Sequence, residues 1–357
     1  MTNGIVQRVA VIGAGLAGAA CAQALRQAGH AVQVFDKSRG PGGRLATRRM
    51  AWTGADGHAA LTPLDHGALG LSARTPAFQA FINQGEQAGW LAEWCPVLQP
   101  GSLALDGGAC WHVPVPDMPE LCRRLLTGVD ATWSCAVDAV HRNALGWQVE
   151  AAGQQLGVPF DVLVLAVPPA QAAPLLARHH DDWARHAALA TMQPCWTLMG
   201  VTAEAGAAPG WDLARPAEGP LAWVVRSDSR PGRTRVPGQA HWVAHARAGW
   251  SREHLAAPTD EVQRQLQAAV ADLVGAPLQW LHGTVHRWRY ALPQPRLAPP
   301  GDSFWWNPAQ GLGVCGDFLG GCGAEGAWQS AQALAAALLR HVGELQRPAV
   351  AHGEVSC

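Results

Sequence analysis

The first 36 residues restrict the fold more than any other part of this 357-residue chain. Arg8–Ile12 (RVAVI) has the pattern of a short buried strand, and Gly13-Ala14-Gly15-Leu16-Ala17-Gly18 reads as a turn. Ala17–Ala28 has helix-forming composition ending at Gly29, and Ala31–Phe35 (AVQVF) predicts a second strand that ends at Asp36. A strand, a GxGxxG turn and a helix in this order predict a βαβ unit that cradles a dinucleotide. Gly13 would permit the tight turn, and Gly15 the approach of a pyrophosphate to the helix N-terminus beside Leu16 and Ala17. Gly18 would permit close helix–strand packing, and Asp36 would accept hydrogen bonds from a ribose. The same spacing recurs at Gly311/Gly313/Gly316, where Val314 and Cys315 fall in an expected strand, and at Gly321/Gly323/Gly326, before a helix near the end of the chain. Only the first match has the strand, helix and acidic residue in place. That context fits FAD and NAD equally.

The stretch FDKSRGPGGRLATRR (35–49) follows at once, with a Gly42-Gly43 doublet, four arginines and the only lysine, Lys37. A basic cluster can mean nucleic acid, but the net charge of −1 and pI near 6.9 exclude a general polyanion or membrane-surface binder. The glycine doublet followed by arginine resembles the GGR element of FAD-dependent amine oxidases and their relatives. The resemblance implies that Gly43 lets the backbone approach a diphosphate, which Arg39 and Arg44 meet beside Lys37. Two distant segments agree. DVLVLAVPP resembles the late strand beneath the cofactor of such flavoproteins, and Val137 in CAVDAV matches the position whose backbone meets the adenine. GVCGDFLGGCGAEGAW resembles their closing motif, which implies Asp317 on the ribityl chain and Gly323 and Ala324 at a helix N-terminus aimed at the flavin ring.

FDKSRGPGGRLATRR, LDHGA, HWVAHARAGWSREHL, HRWRYALP and GDFLGG–EGAW, in this order, resemble the bacterial renalase-like oxidoreductases over roughly residues 8–340. The resemblance implies an α/β fold like that of p-hydroxybenzoate hydroxylase, a Rossmann-like FAD-binding domain interleaved with a mixed-sheet substrate domain. The expected boundaries are 1–73, 107–178 and 298–345 for the first and 74–106 and 179–297 for the second, with a loose tail at 346–357. It also implies non-covalent FAD and a small hydride donor, 2- or 6-dihydro-NAD(P), oxidised to NAD(P)+ while O2 becomes H2O2. Hydride donation from a dihydropyridine needs positioning and desolvation more than a base. The lysine that amine oxidases usually place at flavin N5 has no counterpart, because Lys37 adjoins Asp36.

His245 lies in an alternating strand and matches a histidine on the family's substrate side. Arg287 and Arg289 alternate with Trp288 and Tyr290, and Arg289 is expected to position substrate. The chain departs from the family where Leu69-Gly70-Leu71 replaces a Gln-Tyr-Phe-type run. It departs again where Phe318 replaces a usual Trp, and where Cys322-Gly323-Ala324 replaces a segment that often carries Arg and Val. These changes keep open an amine oxidase or desaturase, or a flavin-binding protein with altered catalysis. Cys322 beside the flavin loop is a packed thiol on the bland reading and a flavin tether on the other.

Elsewhere, 117–127 predicts a helix capped by Asp117 with Glu120 three positions on, and Asp260–Val274 a helix capped by Thr259. Residues 131–166 predict a strand meander. Nine cysteines without CxxC or zinc spacing read as scattered thiols in a reducing cytoplasm, and the amino terminus has no secretory pattern. Seventeen tryptophans are expected mostly as packing, with a few free to wall a pocket. The longest apolar run is broken by Pro168, Pro169 and Pro174, so no bilayer span is expected. The oligomeric state is left open.

Overall fold

The computed structural model describes residues 6–54, 57–105, 108–204, 209–294 and 303–345; the tail expected at 346–357 lies outside them. Arg8–Ile12 is central in a six-stranded sheet, flanked by Ala31–Phe35 on one side and Val162–Leu165 on the other. Asp130–Thr132 extends the first side and Leu312–Val314 the second, all parallel, and Trp305–Asn307 closes the edge antiparallel. The apolar runs VAVI and VLVL are buried on both faces, as a parallel sheet between helices requires. The helix Leu16–Gln27 covers one face and packs with Gly323–Leu345. The second helix contributes Ala327, Ala331, Leu334, Ala335, Leu338 and Val342 to the core, the spacing of one helical stripe.

The second sheet is antiparallel, in the order Leu213–Ala214, Leu221–Arg226, Gln239–Ala246, Met192–Ala203, Trp280–Pro293. Its two faces differ. On one, Trp196, Leu198, Trp242 and Ala244 pack against Val262, Leu266 and Val270 of the helix Thr259–Val274. On the other, Met199, Val201 and Val243 pack against Met50, Trp52 and Leu64 of the hairpin Thr47–Thr53/Ala59–Asp65. Trp196 and Trp242 are each 1% exposed and are worth roughly 2–3 kcal/mol apiece in burial.

Four local expectations are corrected. The helix expected over 117–127 covers only Glu120–Leu125, with Pro119 at its N-cap. The Glu120 carboxylate accepts from Arg123 Nε at 2.7 Å and Arg124 Nε at 2.6 Å, so it serves ion pairing and not a capping box. Thr259 is the first helical residue and not its cap. The meander of 131–166 is interrupted: Val137 lies in a loop between Asp130–Thr132 and Ala139–Asn143, half-buried against the second core cluster. The thiols are not all free either. Cys95 and Cys110 form a disulfide across the hairpin Leu91–Trp94/Trp111–Pro114, which brings their Cα atoms to 4.1 Å. No helix among the described residues is long and apolar enough to cross a membrane.

Candidate functional site

The glycine turn and the GGR loop form one object. Gly42 N–H donates to the Ala14 carbonyl at 2.9 Å, and Gly15 bridges Gly42 as a strand neighbour would. A Cβ on Gly43 would lie 3.1 Å from the Gly15 Cα, at a φ of +57°. One on Gly18 would lie 1.8 Å from the Gly13 carbonyl oxygen. Side chains are thus excluded where the turn meets the doublet, and the helix Leu16–Gln27 starts there with no side-chain cap on its first amides. Leu16 and Ala17 are buried at that start. The result is a bare cradle of backbone donors at the positive end of a helix dipole, which fits a diphosphate.

Asp36 closes the cradle. One carboxylate oxygen accepts from Ala14 N–H and the other from Ser38 N–H, each at 2.7 Å, leaving further lone pairs for a ribose hydroxyl. Lys37 and Arg39 are exposed on the loop beyond. Arg44 was expected on the diphosphate; in the structure it grips Asp317 in a bidentate pair at 2.6 and 2.7 Å and donates to the Ala291 carbonyl at 2.9 Å. Asp317 is buried and Arg44 only half-buried, so the arginine is what compensates the buried carboxylate. Just after Asp317, Gly321 and Gly326 repeat the packing of Gly13 and Gly18: a Cβ on Gly326 would lie 1.6 Å from the Gly321 carbonyl oxygen. Gly323 and Ala324 then begin the long terminal helix. Residues far apart in sequence therefore meet at the Arg44–Asp317 pair.

The LDHGA loop ties this cradle to the second sheet. Ala68 N–H donates to the Arg44 carbonyl, and His66 N–H to that of Ala46, at 2.9 and 3.0 Å. His66 sits 5.0 Å from His286 and 5.1 Å from Trp288, centroid to centroid, and its carbonyl accepts from Trp288 Nε1. Across the sheet, Trp223, His245, Thr197 and His286 are register partners in one row. Burial, with Arg230 nearby, lowers His245 to about 4. Burial, then His286, Arg48 and His245, lowers His66 to about 3, and burial with Arg48 lowers His286. All three imidazoles are neutral at pH 7, so they offer hydrogen bonds and shape in place of charge.

Leu69, the departure from the expected run, packs with Trp94, Trp111 and Trp223. A Cβ on Gly70 would come within 3.1 Å of Trp111. His245 lies in the strand Gln239–Ala246, in one row with Trp223, Thr197 and His286. Arg289 does not join it: the residue is exposed, where the strand loses register with Met192–Ala203. Arg287 points to the helical face, donates to the Leu255 carbonyl and lies over Trp196. Cys322 is exposed, and burial of its thiol with Asp317 nearby raises its pKa, which keeps it protonated.

Sequence reasoning missed two groups. Glu325 is buried and holds Arg74 and Thr75 at the start of the helix Pro76–Gln87. Asp65, Arg230 and Arg233 form a buried ion cluster spanning 168 residues. The run SRPGR carried the only local signal, a proline–glycine turn between two arginines.

Residues 11–84 match a family described as NAD(P)-binding Rossmann-like domain. Over 208 residues the chain is 30% identical to the tRNA 5-methylaminomethyl-2-thiouridine biosynthesis bifunctional protein MnmC of Magnetococcus marinus; this match covers 48% of the chain and 31% of that relative. Among solved structures, cyclohexylamine oxidase from Brevibacterium oxydans IH-35A is similar at a TM-score of 0.67 and 13% identity, covering 96% of this chain and 100% of that one. An oxidoreductase from Methanosarcina mazei gives 0.65 and 14%, over 91% and 99%. Putrescine oxidase bound to putrescine gives 0.61 and 14%, over 94% and 99%. At these identities the likeness establishes the fold: a mixed α/β chain with a Rossmann-like dinucleotide-binding domain and the architecture of these oxidases.

Proposed function

We propose that this chain is an FAD-dependent oxidoreductase that accepts a hydride from a small dihydropyridine, a 2- or 6-dihydro-NAD(P)-type donor, and passes the electrons to O2. The observation that carries the reading is the meeting of the Gly15/Gly43 cradle with the Arg44–Asp317 pair. NAD would need only the first, whereas an elongated flavin dinucleotide uses both ends. The fold shared with oxidases supports the reaction class.

FAD bound here would supply a two-electron acceptor. The chain's own part is binding, orientation and exclusion of water. With FAD bound, Gly15, Leu16 and Ala17 would present backbone to the diphosphate, Asp36 would hold the ribose and Asp317 the polyol, and Val137, Gly323 and Ala324 would serve its two ends. His245, Trp223 and Leu69 shape the opposite wall. His245, neutral at pH 7, would orient a donor by a hydrogen bond at Nε2, which has no partner among the described residues. No lysine stands at this wall, since Lys37 is exposed beside Asp36, and an amine oxidase that uses such a lysine fits less well.

The test is reconstitution with FAD followed by anaerobic mixing with 6-dihydro-NAD. Rapid loss of the flavin's visible absorbance, and its return with H2O2 on admission of air, is expected. Bleaching by an amine but by no dihydronicotinamide would replace the donor in this reading. A protein that takes up no FAD would end it.

A further inference from the structure

One carboxylate, Asp65, compensates two buried guanidiniums. Its Oδ2 lies 3.2 Å from Arg230 Nη1 and 2.6 Å from Arg233 Nη2, and Thr47 Oγ1 donates to its other oxygen. The carboxylate nearest Arg230 in sequence, Asp228, is held by Arg226 at 3.3 Å and accepts from His241 N–H. The Asp65 cluster therefore keeps a surplus positive charge in the interior. Arg233 spends its Nη1 on the carbonyls of Pro114 and Pro231. Arg230 is different. Its side chain is 0% exposed, and its Nε and Nη2 have no hydrogen-bond partner among the described residues.

Nε–H and Nη2–H form the side-on edge of a guanidinium, the edge that pairs with a carboxylate through two parallel bonds. Around Arg230 lie the Trp94 ring, 5.1 Å beneath the guanidinium, and His245, whose Nε2 also has no partner. His66, bonded to the His245 ring through its backbone, leaves its Nδ1 unpaired. Four buried polar atoms of Arg230, His245 and His66 thus lack partners among the described residues, where one carboxylate serves two guanidiniums. Buried polar groups are normally satisfied, and an unpaired buried charge is among the most expensive features a fold can keep. On the other side of the cluster Arg233 lines a cavity of about 150 Å3, so the ions are not remote from solvent.

We infer that the free edge of Arg230 is the seat of a carboxylate carried by the molecule oxidised at this site. The inference rests on the proposed function only in calling the guest a substrate. It departs from that reading at the donor's ring substituent, placing a carboxylate, as in a dihydropyridine acid, where dihydro-NAD(P) carries a neutral carboxamide. The carboxylate bonds to Nε–H and Nη2–H, with His245 and His66 available to its outer lone pairs and the Trp94 face beneath the ion pair. Orientation follows, because a fork-bound carboxylate fixes the plane of the ring that bears it.

The test is calorimetric titration of the purified protein, carrying whatever flavin it holds, with nicotinate, nicotinamide, acetate and inorganic phosphate. Nicotinate is expected to bind at least about 10-fold more tightly than its neutral amide, as charge-assisted bidentate pairing requires. Acetate should compete with it. Arg230→Gln should bring the two pyridines to within about twofold, and Arg230→Lys, which keeps charge without the fork, should not restore the difference. Equal binding of nicotinate and nicotinamide by the unaltered protein, or binding of neither, overturns the inference and requires no variant to fold. Phosphate binding as tightly as nicotinate overturns the substrate assignment, since the seat would then take any anion. A colourless protein that cannot be loaded with FAD yet discriminates the acid through Arg230 would remove the flavin reading and keep the carboxylate seat. A yellow protein indifferent to carboxylates would do the reverse.

Discussion

Arg44 and Asp317, 273 residues apart in sequence, share two parallel hydrogen bonds at 2.6 and 2.7 Å. The pair joins the GGR loop to the turn before the terminal helix and so holds the two halves of the cleft in register. Because Asp317 is 3% exposed and Arg44 32%, the two partners are not equivalent. Arg44→Met strands a buried carboxylate and is expected to cost about 3 kcal/mol, whereas Arg44→Met with Asp317→Asn recovers most of it. Urea midpoints of the two variants check this. Equal loss in the single and double variants would show that the ion pair is not what Arg44 provides.

Two glycines of the first turn separate folding from cofactor binding. A Cβ on Gly15 meets nothing nearer than 3.9 Å, and its φ of −73° suits any residue. Gly15→Ala should therefore fold with stability within about 1 kcal/mol of the parent. Its FAD affinity should fall at least about 10-fold, because the methyl occupies the place of a diphosphate. Gly18→Ala, with its 1.8 Å collision, should not accumulate as folded protein. Flavin retained after gel filtration, beside a thermal melt, distinguishes the cases; full flavin content in Gly15→Ala would refute the placement.

The buried histidines make stability depend on acid. His66 and His245 bind protons near 3 and 4 in the folded chain and near 6.5 when unfolded. Between pH 6.5 and 4 the unfolded chain binds more protons, so stability rises with pH and is lost on acidification. From pH 7 to pH 5 each histidine is expected to remove up to about 2 kcal/mol. His245→Asn should reduce that dependence, measured as urea midpoints at the two pH values. A parent protein equally stable at both would contradict the neutral, buried assignment.

Reduction of the Cys95–Cys110 bridge frees a short loop between paired strands. Closing a loop of this length is worth about 3 kcal/mol, so dithiothreitol should lower the melting temperature of the parent and leave Cys95→Ser unaffected. Thiol counts in denatured protein should rise by two on reduction. An unchanged count would mean the cysteines are free in solution.

Sequence revealed what depends on local backbone chemistry. The turn at Gly13–Gly18, the doublet at Gly42-Gly43 and the acid at Asp36 each need a particular residue at a particular spacing, and the structure brings them together as expected. His245 was visible through strand alternation. Arg289 is exposed, and its alternation with Trp288 sets it apart from the row of His245 and His286. Asp65 with Arg230 and Cys95 with Cys110 were not legible. Each pairing is chosen by tertiary packing, and a lone carboxylate or thiol carries no mark of its partner. The shortened helix at Glu120 failed for a related reason, since Arg123 and Arg124 claim the carboxylate that a capping box would use.

The cleft is assembled from the first and last parts of the chain, and this has a consequence during synthesis. The ribosome delivers the Gly13–Gly43 cradle early, but Leu312–Val314, Asp317 and the helix Gly323–Leu345 come last. At ordinary elongation speeds that leaves tens of seconds in which Arg8–Ile12 and the helix Leu16–Gln27 wait without their final neighbours. During that interval the apolar stripe of the first helix is uncovered. The lasting cover of that stripe, packing against Gly323–Leu345, is available only once this helix has been made.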